Sequence, residues 1–245
     1  MSDFDRNSAA ARGFGAAGRA VAIDQGLRAH MIRVYNYMAG GVALTGVVAF
    51  FVAQYAATDP AFARALYGSP LAFVVMLAPL GLVFFLSFRI GHLQASTARL
   101  LFFVYAALLG LMLSTIFLVY TQASITRVFF VTAASFGALS LWGYTTQRSL
   151  DAMGSFMIMG LFGIIIASLV NIFLRSTGLD WAISVLGVLI FAGLTAWDTQ
   201  KIKELFDPMD DGTIAGRKAV MGALALYLDF INMFLFLLRL FGDRR

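Results

Sequence analysis

The chain contains no cysteine among its 245 residues. This absence excludes disulfide bonds and thiol-based catalysis, although it does not define the cellular compartment. The two histidines, His30 and His92, form no recognisable zinc or haem motif without cysteine partners. The phosphate-binding and dinucleotide-binding glycine motifs and the G-x-S-x-G elbow are also missing. We therefore expect that the protein is not an enzyme and binds no cofactor.

Charge is scarce as well. Only 13% of the residues are charged, about half the share of an ordinary soluble domain, whereas 60% are hydrophobic. A membrane β-barrel would show alternating residues in segments of about 10, but the apolar runs here are continuous. The composition predicts an all-α polytopic membrane protein with one compact domain. The net charge of +5 gives no reason to expect a nucleic-acid partner.

Seven apolar segments approach or exceed the length of about 20 residues that a membrane-spanning helix requires. The preceding residues are rich in Ala, Gly and Arg and lack the apolar core of a signal peptide. We predict a basic, disordered cytoplasmic tail over residues 1–30, with a short amphipathic helix on anionic lipid as the alternative. Residues 31–245 are predicted to form a seven-helix transmembrane domain. Its predicted spans are 31–55, 70–88, 100–121, 126–144, 153–174, 181–198 and 216–241.

The distribution of Lys and Arg predicts the orientation of these spans. With the N-terminus in the cytoplasm, the cytoplasmic side would carry about twice as many Lys and Arg residues as the other side, as the positive-inside rule requires. Arg239, Arg244 and Arg245 would then lie on the non-cytoplasmic side. The charge rule therefore also allows a re-entrant last segment. A straight spanning helix is the simpler prediction.

The last segment, Gly216–Phe241, carries a carboxylate, Asp229, close to its middle. At helical spacing, Asp229 falls on a stripe of small and polar residues, and large apolar residues occupy the rest of the helix. Because an ionised Asp facing lipid is very unfavourable, we expect this stripe to face protein or a wet cavity. Two glycine pairs, Gly40-Gly41 and Gly160/Gly163, predict further close contacts between helices.

Few other ionisable residues lie within the apolar segments. Asp198 ends the sixth segment and Arg89 ends the second, and the amides of Asn171 and Asn232 are the notable neutral polar groups. Two nearby carboxylates in a low dielectric tend to share a proton and titrate as a pair. After losing that proton, Asp198 and Asp229 would form an anionic oxygen site suited to a transient Ca²⁺ ion. Arg89 is the candidate counter-ion that competes with the ion.

Each of these residues also has a simpler interpretation. Asp198 could have no other role than to cap a short helix or to pair with Lys201 at the membrane surface. Arg89 could extend its side chain to the lipid headgroups. Asn232 or a backbone group could satisfy Asp229, although carboxylates within a membrane are functional by default.

Two motifs resemble those of a known family. They are F-A-G-L-T-A-W-D-T-Q-K-I-K at Phe191–Lys203 and A-L-A-L-Y-L-D-F-I-N-M-F-L-F-L-L-R-L-F-G at Ala223–Gly242. The chain from about residue 30 onwards resembles bacterial members of the Bax inhibitor-1, or transmembrane Bax-inhibitor-motif, family. The resemblance implies a seven-helix bundle with the last helix central. It also implies a pH-sensitive calcium leak with Asp198 and Asp229 as the sensor and Arg89 as the paired arginine.

Three functions follow as hypotheses. The first is a calcium leak channel gated by the Asp198–Asp229 pair, with the lipid bilayer, Ca²⁺ and H⁺ as its partners. The second is a modulator of a membrane-bound ATP-dependent protease that uses residues 1–30 as a handle and transports nothing. The third is Ca²⁺/H⁺ exchange through the same carboxylates. In all three, the expected location is a bacterial inner membrane with a cytoplasmic N-terminus.

Overall fold

A computed structural model describes the backbone of residues 3–245 and the side chains of residues 23–245. This part of the chain folds into α-helices joined by short connections, and it contains no named β-strand. Seven of the helices are long and apolar enough to cross a membrane, which confirms the predicted all-α seven-span bundle. The helices are α1 (Asp3–Thr58), α2 (Pro60–Tyr67), α3 (Leu71–Arg89), α4 (Ala95–Val119), α5 (Gln122–Thr145), α6 (Asp151–Leu174), α7 (Thr177–Glu204) and α8 (Gly212–Phe241).

The helix that carries the first span continues on the N-terminal side of the predicted span, since Ile23–Thr58 lies within α1. His30, which the sequence assigned to the tail, is a buried residue of this helix, and its ring lies 5.8 Å from the ring of Phe206. The predicted boundary at residue 30 is therefore not a helix boundary. The rest of the predicted tail, residues 1–22, lies outside the described side chains.

The short helix α2 is an addition that the sequence did not predict. Asp59 begins it by accepting hydrogen bonds from the backbone N–H groups of Ala61 (2.8 Å) and Phe62 (3.1 Å). Pro60 occupies the first helical turn, where its missing N–H removes no helical hydrogen bond. With 8 residues, α2 is far too short to span a bilayer. It follows α1 and precedes the second span.

The sixth span, α7, continues past Asp198 to Glu204. Asp198 therefore lies inside a helix and does not cap one. Lys201 pairs with Asp151 (Nζ–Oδ1 2.7 Å) and with Glu204 (Nζ–Oε2 3.1 Å). The interfacial interpretation of Asp198, as a cap or as the partner of Lys201, is wrong.

The last span, α8, is one continuous helix of 30 residues, about 45 Å long. Near its start, Gly216 lies against Ala95 at the start of α4. Beyond its end, the backbone N–H of Arg245 donates to the carbonyl of Val119 at the end of α4 (3.0 Å). The helix α8 thus runs beside α4 over the whole length of the bundle, which supports the straight helix and not the re-entrant one.

Burial differs sharply between α8 and α6. In the most apolar 18-residue stretch of α8, 67% of the residues are buried inside the protein, whereas in that of α6 only 6% are buried. The helix α8 packs against α1, α4, α5 and α7, while α6 packs chiefly against α7. At the centre of the α8 packing, the fully buried Tyr227 meets Phe102 and Tyr105 edge-on and hydrogen-bonds the hydroxyl of Thr45 (2.6 Å). The central position that the family resemblance implies for this helix stays a prediction.

Candidate functional site

The structure brings together the two aspartates that the sequence singled out. Asp198 on α7 and Asp229 on α8 line the same cavity, with their carboxyl groups close enough to interact directly. Asp229 is 4% exposed, and its Oδ2 atom is buried with no hydrogen-bond donor among the described residues. Two carboxyl groups make such a contact favourably only when a proton lies between them.

The register between α7 and α8 produces this contact. The two helices run antiparallel and pack closely at two glycines. A Cβ on Gly222 would lie 3.0 Å from Ile202, and one on Gly187 would lie 2.6 Å from Phe236. Because these two contacts fix the register on both sides of the aspartates, Asp198 and Asp229 are held at the same level of the bundle.

A cavity of ≈ 650 Å³ adjoins the aspartates between α6, α7 and α8. Its wall is mostly apolar, and its polar side chains include Asp198, Asp229, Asn232 and Ser168. Since α6 packs chiefly on α7, the cavity separates α6 from α8 and opens sideways between them. Ile165, on the α6 wall, is 47% exposed at this opening.

Aromatic and charged contacts lie on both sides of the aspartates along the bundle axis. Towards the end of the bundle that holds the C-terminus, Phe191 and Phe236 stack with ring centroids 6.0 Å apart. One turn beyond Phe236, Arg239 lies over its ring and bonds Asp180 at 3.3 Å. These contacts separate Asp198 and Asp229 from that surface.

The opposite end of the site is covered by Trp197. Its ring packs on the backbone of Gly154, where an added Cβ would come within 2.3 Å of it. Its Nε1 donates to Asp151 Oδ1 at 3.2 Å, and Lys201 binds the same carboxylate at 2.7 Å. This cluster lies about one helical turn from Asp198, so the barrier between the aspartates and this surface is thin.

A chain of hydroxyl groups supports α7 directly behind Asp198. The hydroxyl of Thr199 lies 2.8 Å from that of Ser140 on α5, which in turn lies 2.6 Å from the hydroxyl of Tyr35 on α1. Thr199 also bonds the carbonyl of Thr195 at 2.7 Å. These buried bonds tie three spans together at the level of Asp198 and restrict its movement.

The predicted accessory residues have different positions. Asn232 lines the cavity beside Asp229 and donates one N–H to the carbonyl of Leu228 at 2.8 Å. Asn171 accepts a hydrogen bond from the N–H of Ser176 at 3.0 Å, in the connection between α6 and α7. This position is about 25 Å along α6 from the level of the aspartates, so Asn171 does not support the site.

Arg89 does not meet the aspartates in this structure. It ends α3, is exposed, and forms no ion pair with any described residue. The helix α3 packs chiefly against α4 and α2. The counter-ion role of Arg89 remains a prediction that requires a different arrangement of the helices.

The described side chains contain no cluster of three or more His, Cys, Asp or Glu residues that would hold a resident metal ion. The aspartate pair supplies two carboxylates, so a Ca²⁺ ion at this site would take its remaining oxygen ligands from neutral groups or water.

Two residues of the site escaped the sequence analysis, and a third, Lys201, entered it only as a possible partner of Asp198. Trp197 directly precedes Asp198 in the motif, while Asp151 and Lys201 lie near helix ends where charges are common. The pairing of Asp151 with Trp197 and Lys201 depends on the packing of α6 on α7. The motif A-W-D-T-Q-K was the only signal in the sequence that could have indicated Trp197 and Lys201.

Seven apolar spans and a carboxyl pair between the last two define a polytopic helical membrane protein. The chain belongs to the Bax inhibitor family, since residues 27–245 match the family described as "Inhibitor of apoptosis-promoting Bax1". The match confirms the resemblance seen in the two motifs and covers all seven predicted spans.

Bacterial relatives cover almost the whole chain. The inner membrane protein YbhL of Escherichia coli is 48% identical over 223 residues, which are 90% of this chain and 94% of the relative. An uncharacterized protein of Rickettsia prowazekii, RP147, is 46% identical over 222 residues, covering 91% and 92% of the two chains. An uncharacterized protein of Caulobacter vibrioides is 42% identical over 251 residues and covers both chains completely.

Proposed function

We propose that this protein is a pH-sensitive calcium leak channel of a bacterial inner membrane, gated by the proton that Asp198 and Asp229 share. The observation that carries the proposal is that the two carboxyl groups interact within one mostly apolar cavity, between the Phe191–Phe236 stack and Trp197. The inner membrane is proposed because the Escherichia coli relative carries that location in its name.

The closed state follows from the shared proton. With one proton between them, the two carboxyl groups attract each other and hold α7 to α8. The stacked rings of Phe191 and Phe236 then close one side of the cavity, and Trp197 closes the other. These apolar side chains place a barrier in the path of an ion.

Opening begins when the proton leaves. Two carboxylates at this distance repel each other strongly in a low dielectric, so α7 and α8 separate at this level. The separation unstacks Phe191 from Phe236 and presents two negative charges to the cavity. A Ca²⁺ ion balances both charges, and water or the free Oδ1 of Asn232 completes its shell. Because the proton leaves as the pH rises, calcium flux is expected to increase with pH.

The orientation proposed for the channel has the N-terminus in the cytoplasm. The part of α1 near Gly26, the start of α4 and the connections α5–α6 and α7–α8 lie on one side of the bundle. The contact of Gly26 with Phe206, that of Gly216 with Ala95, and the hydrogen bond from the N–H of Leu150 to Gln200 (2.8 Å) indicate this. This side carries most of the Lys and Arg residues, which favours a cytoplasmic location. The aspartate pair would then lie nearer to the cytoplasm than to the outer surface.

Calcium entry into liposomes tests the proposal. The full chain is reconstituted with a calcium dye inside, and initial rates are compared between about pH 6 and pH 8. The rate should rise with pH in the native protein and lose this dependence in Asp198→Asn and Asp229→Asn. The matched control is Asp243→Asn, which removes a carboxylate from an exposed ion pair with Arg127 and should keep the pH dependence.

Two outcomes would contradict the leak. One is an unchanged pH dependence in both Asn variants, which would remove the aspartates from the sensor. The other is calcium entry that is strictly coupled to proton exit, measured with a second dye for internal pH, because that result describes Ca²⁺/H⁺ exchange. Leak requires calcium flux without stoichiometric proton counter-flow.

A further inference from the structure

The cavity between α6, α7 and α8 has properties that a small inorganic ion does not need. Along α6 its wall extends from Ile158 to Leu169, and along α8 from Ala225 to Phe236, so it is about 16 Å long. Its volume of ≈ 650 Å³ lies within the range of pockets that hold drug-sized organic molecules. Most of this wall is apolar.

The hydrogen-bonding groups of the wall are mostly acceptors. The Trp197 N–H is used by Asp151 (3.2 Å), and the Ser168 hydroxyl donates to the carbonyl of Ile164 (2.7 Å). By contrast, Asp229 is 4% exposed and its Oδ2 has no donor among the described residues. Asn232 keeps one N–H unused, but the strongest hydrogen-bonding groups of the wall are the two carboxyl groups, of which that of Asp198 belongs to the more exposed residue.

Charge is also unevenly distributed along the cavity. Asp198 and Asp229 lie near one end, at the level where α6 begins, whereas the other end is lined by side chains such as Leu169 and Phe236. A complementary ligand has a cationic N–H donor at one end and a compact apolar body at the other. An anion or a purely polar molecule would be excluded by the carboxyls and the apolar wall.

The cavity opens towards the bilayer. Ile165 and Leu169 on the α6 wall are 47% and 56% exposed at the gap that separates α6 from α8. An apolar amine dissolved in the membrane can therefore enter sideways, without crossing the contacts that close the cavity towards either surface.

We propose that this lateral cavity binds lipophilic ammonium compounds, with the ammonium group on Asp229 and Asp198 and the apolar body between α6 and α8. The bound amine occupies the aspartate pair and fills the cavity, so it blocks any ion that uses the same carboxylates. The inference deepens the proposed function because it names a second class of ligand for that site. Binding is measured without calcium, so its failure and the failure of the leak are separate results.

The test uses desipramine, a tricyclic secondary amine, and its neutral N-acetyl derivative, which has the same apolar body without the charge. Equilibrium binding is measured on the full chain in lipid nanodiscs, with empty nanodiscs subtracted. Desipramine should bind at least about tenfold more tightly than the N-acetyl derivative, since a buried charge pair contributes at least that much.

Two variants locate the site. Asp229→Asn should weaken desipramine binding by at least about tenfold and leave the N-acetyl derivative unaffected, since only the charge pair is lost. Ala225→Phe fills the cavity one turn from Asp229 and should abolish the binding of both compounds. The thermal unfolding of each variant is measured first, to establish that it is folded. A variant that does not fold is replaced by Asp198→Asn.

Two results would overturn the inference. The first is equal affinity of the native protein for desipramine and its N-acetyl derivative, which would leave the carboxyls without a role. The second is unchanged desipramine binding in a folded Ala225→Phe variant, which would place the amine elsewhere.

Discussion

Replacing Gly143 by alanine should destabilise the bundle by separating α5 from α7. A Cβ atom on Gly143 would lie 2.2 Å from the carbonyl oxygen of Ala196 and 2.9 Å from its Cα. An ordinary carbon–oxygen contact is about 3.3 Å, so the two helices must move apart by about 1 Å. No side-chain rotation can relieve this contact, because the atoms it meets belong to the backbone of α7.

The expected magnitude follows from the cost of overpacking a core, about 1–3 kcal/mol. For a chain of this length, that change lowers the midpoint of thermal unfolding by roughly 2–12 °C. The hydrogen bond between Ser140 and Thr199, one turn away on the same two helices, would be stretched from 2.8 Å by the same movement. Both the overpacking and the stretched hydrogen bond lower the stability of the bundle.

Gly137 provides the matched control on the same helix. A Cβ built on this residue meets no atom within 4 Å, so Gly137→Ala should leave the transition unchanged or raise it slightly through helix propensity. Tryptophan fluorescence of the purified protein during heating in detergent measures both transitions. Equal midpoints for Gly143→Ala and Gly137→Ala would refute the close packing of α5 on α7.

Two further predictions concern the hydrogen bond between Tyr227 and Thr45 and the stacked rings of Phe191 and Phe236. Tyr227→Phe should lower the free energy of unfolding by about 1 kcal/mol, and Thr45→Ala by more, since it leaves the buried tyrosine hydroxyl without its partner. A larger loss of thermal stability in Tyr227→Phe than in Thr45→Ala would contradict this assignment. Phe191→Ala should raise calcium entry at a fixed low pH, because it removes the ring stacked on Phe236, whereas Phe173→Ala, at a side chain 87% exposed, should not. Equal calcium entry in these two variants would exclude the stacked rings as a barrier to calcium.

The seven spans and the burial of Asp229 could be predicted from the sequence for simple physical reasons. Long apolar runs have few folded alternatives in a membrane, where backbone groups must bond within the helix. A carboxylate inside such a run, as at Asp229, is too unfavourable to leave facing lipid. Each of these features is a property of a single segment and needs no knowledge of its neighbours.

Contacts between segments were harder to predict. Among the glycines expected to mark close packing, Gly41 lies against Phe102 and Gly160 against Ile190, whereas Gly163 faces open space. The tightest such contact, that of Gly143, was not predicted. A glycine permits close approach, but the sequence does not say which of its neighbours approaches.

The positions of Asn171 and Arg89 illustrate the same limit. Both were selected because they are polar residues in apolar segments, yet Asn171 bonds the α6–α7 connection and Arg89 is exposed at the end of α3. Whether a polar residue reaches Asp198 depends on its level along the helix and on which helices touch. Neither quantity can be read from one segment alone.

The measurement that tests the central claim most directly is the infrared absorption of protonated carboxyl groups in the lipid-reconstituted protein. Spectra are compared between about pH 6 and pH 8 for the native chain and for the double variant Asp198→Asn/Asp229→Asn. A shared proton predicts a protonated carboxyl band that the native protein loses as the pH rises and that the double variant lacks at every pH. A native protein without a pH-dependent band, or a double variant with the same band, would contradict the account.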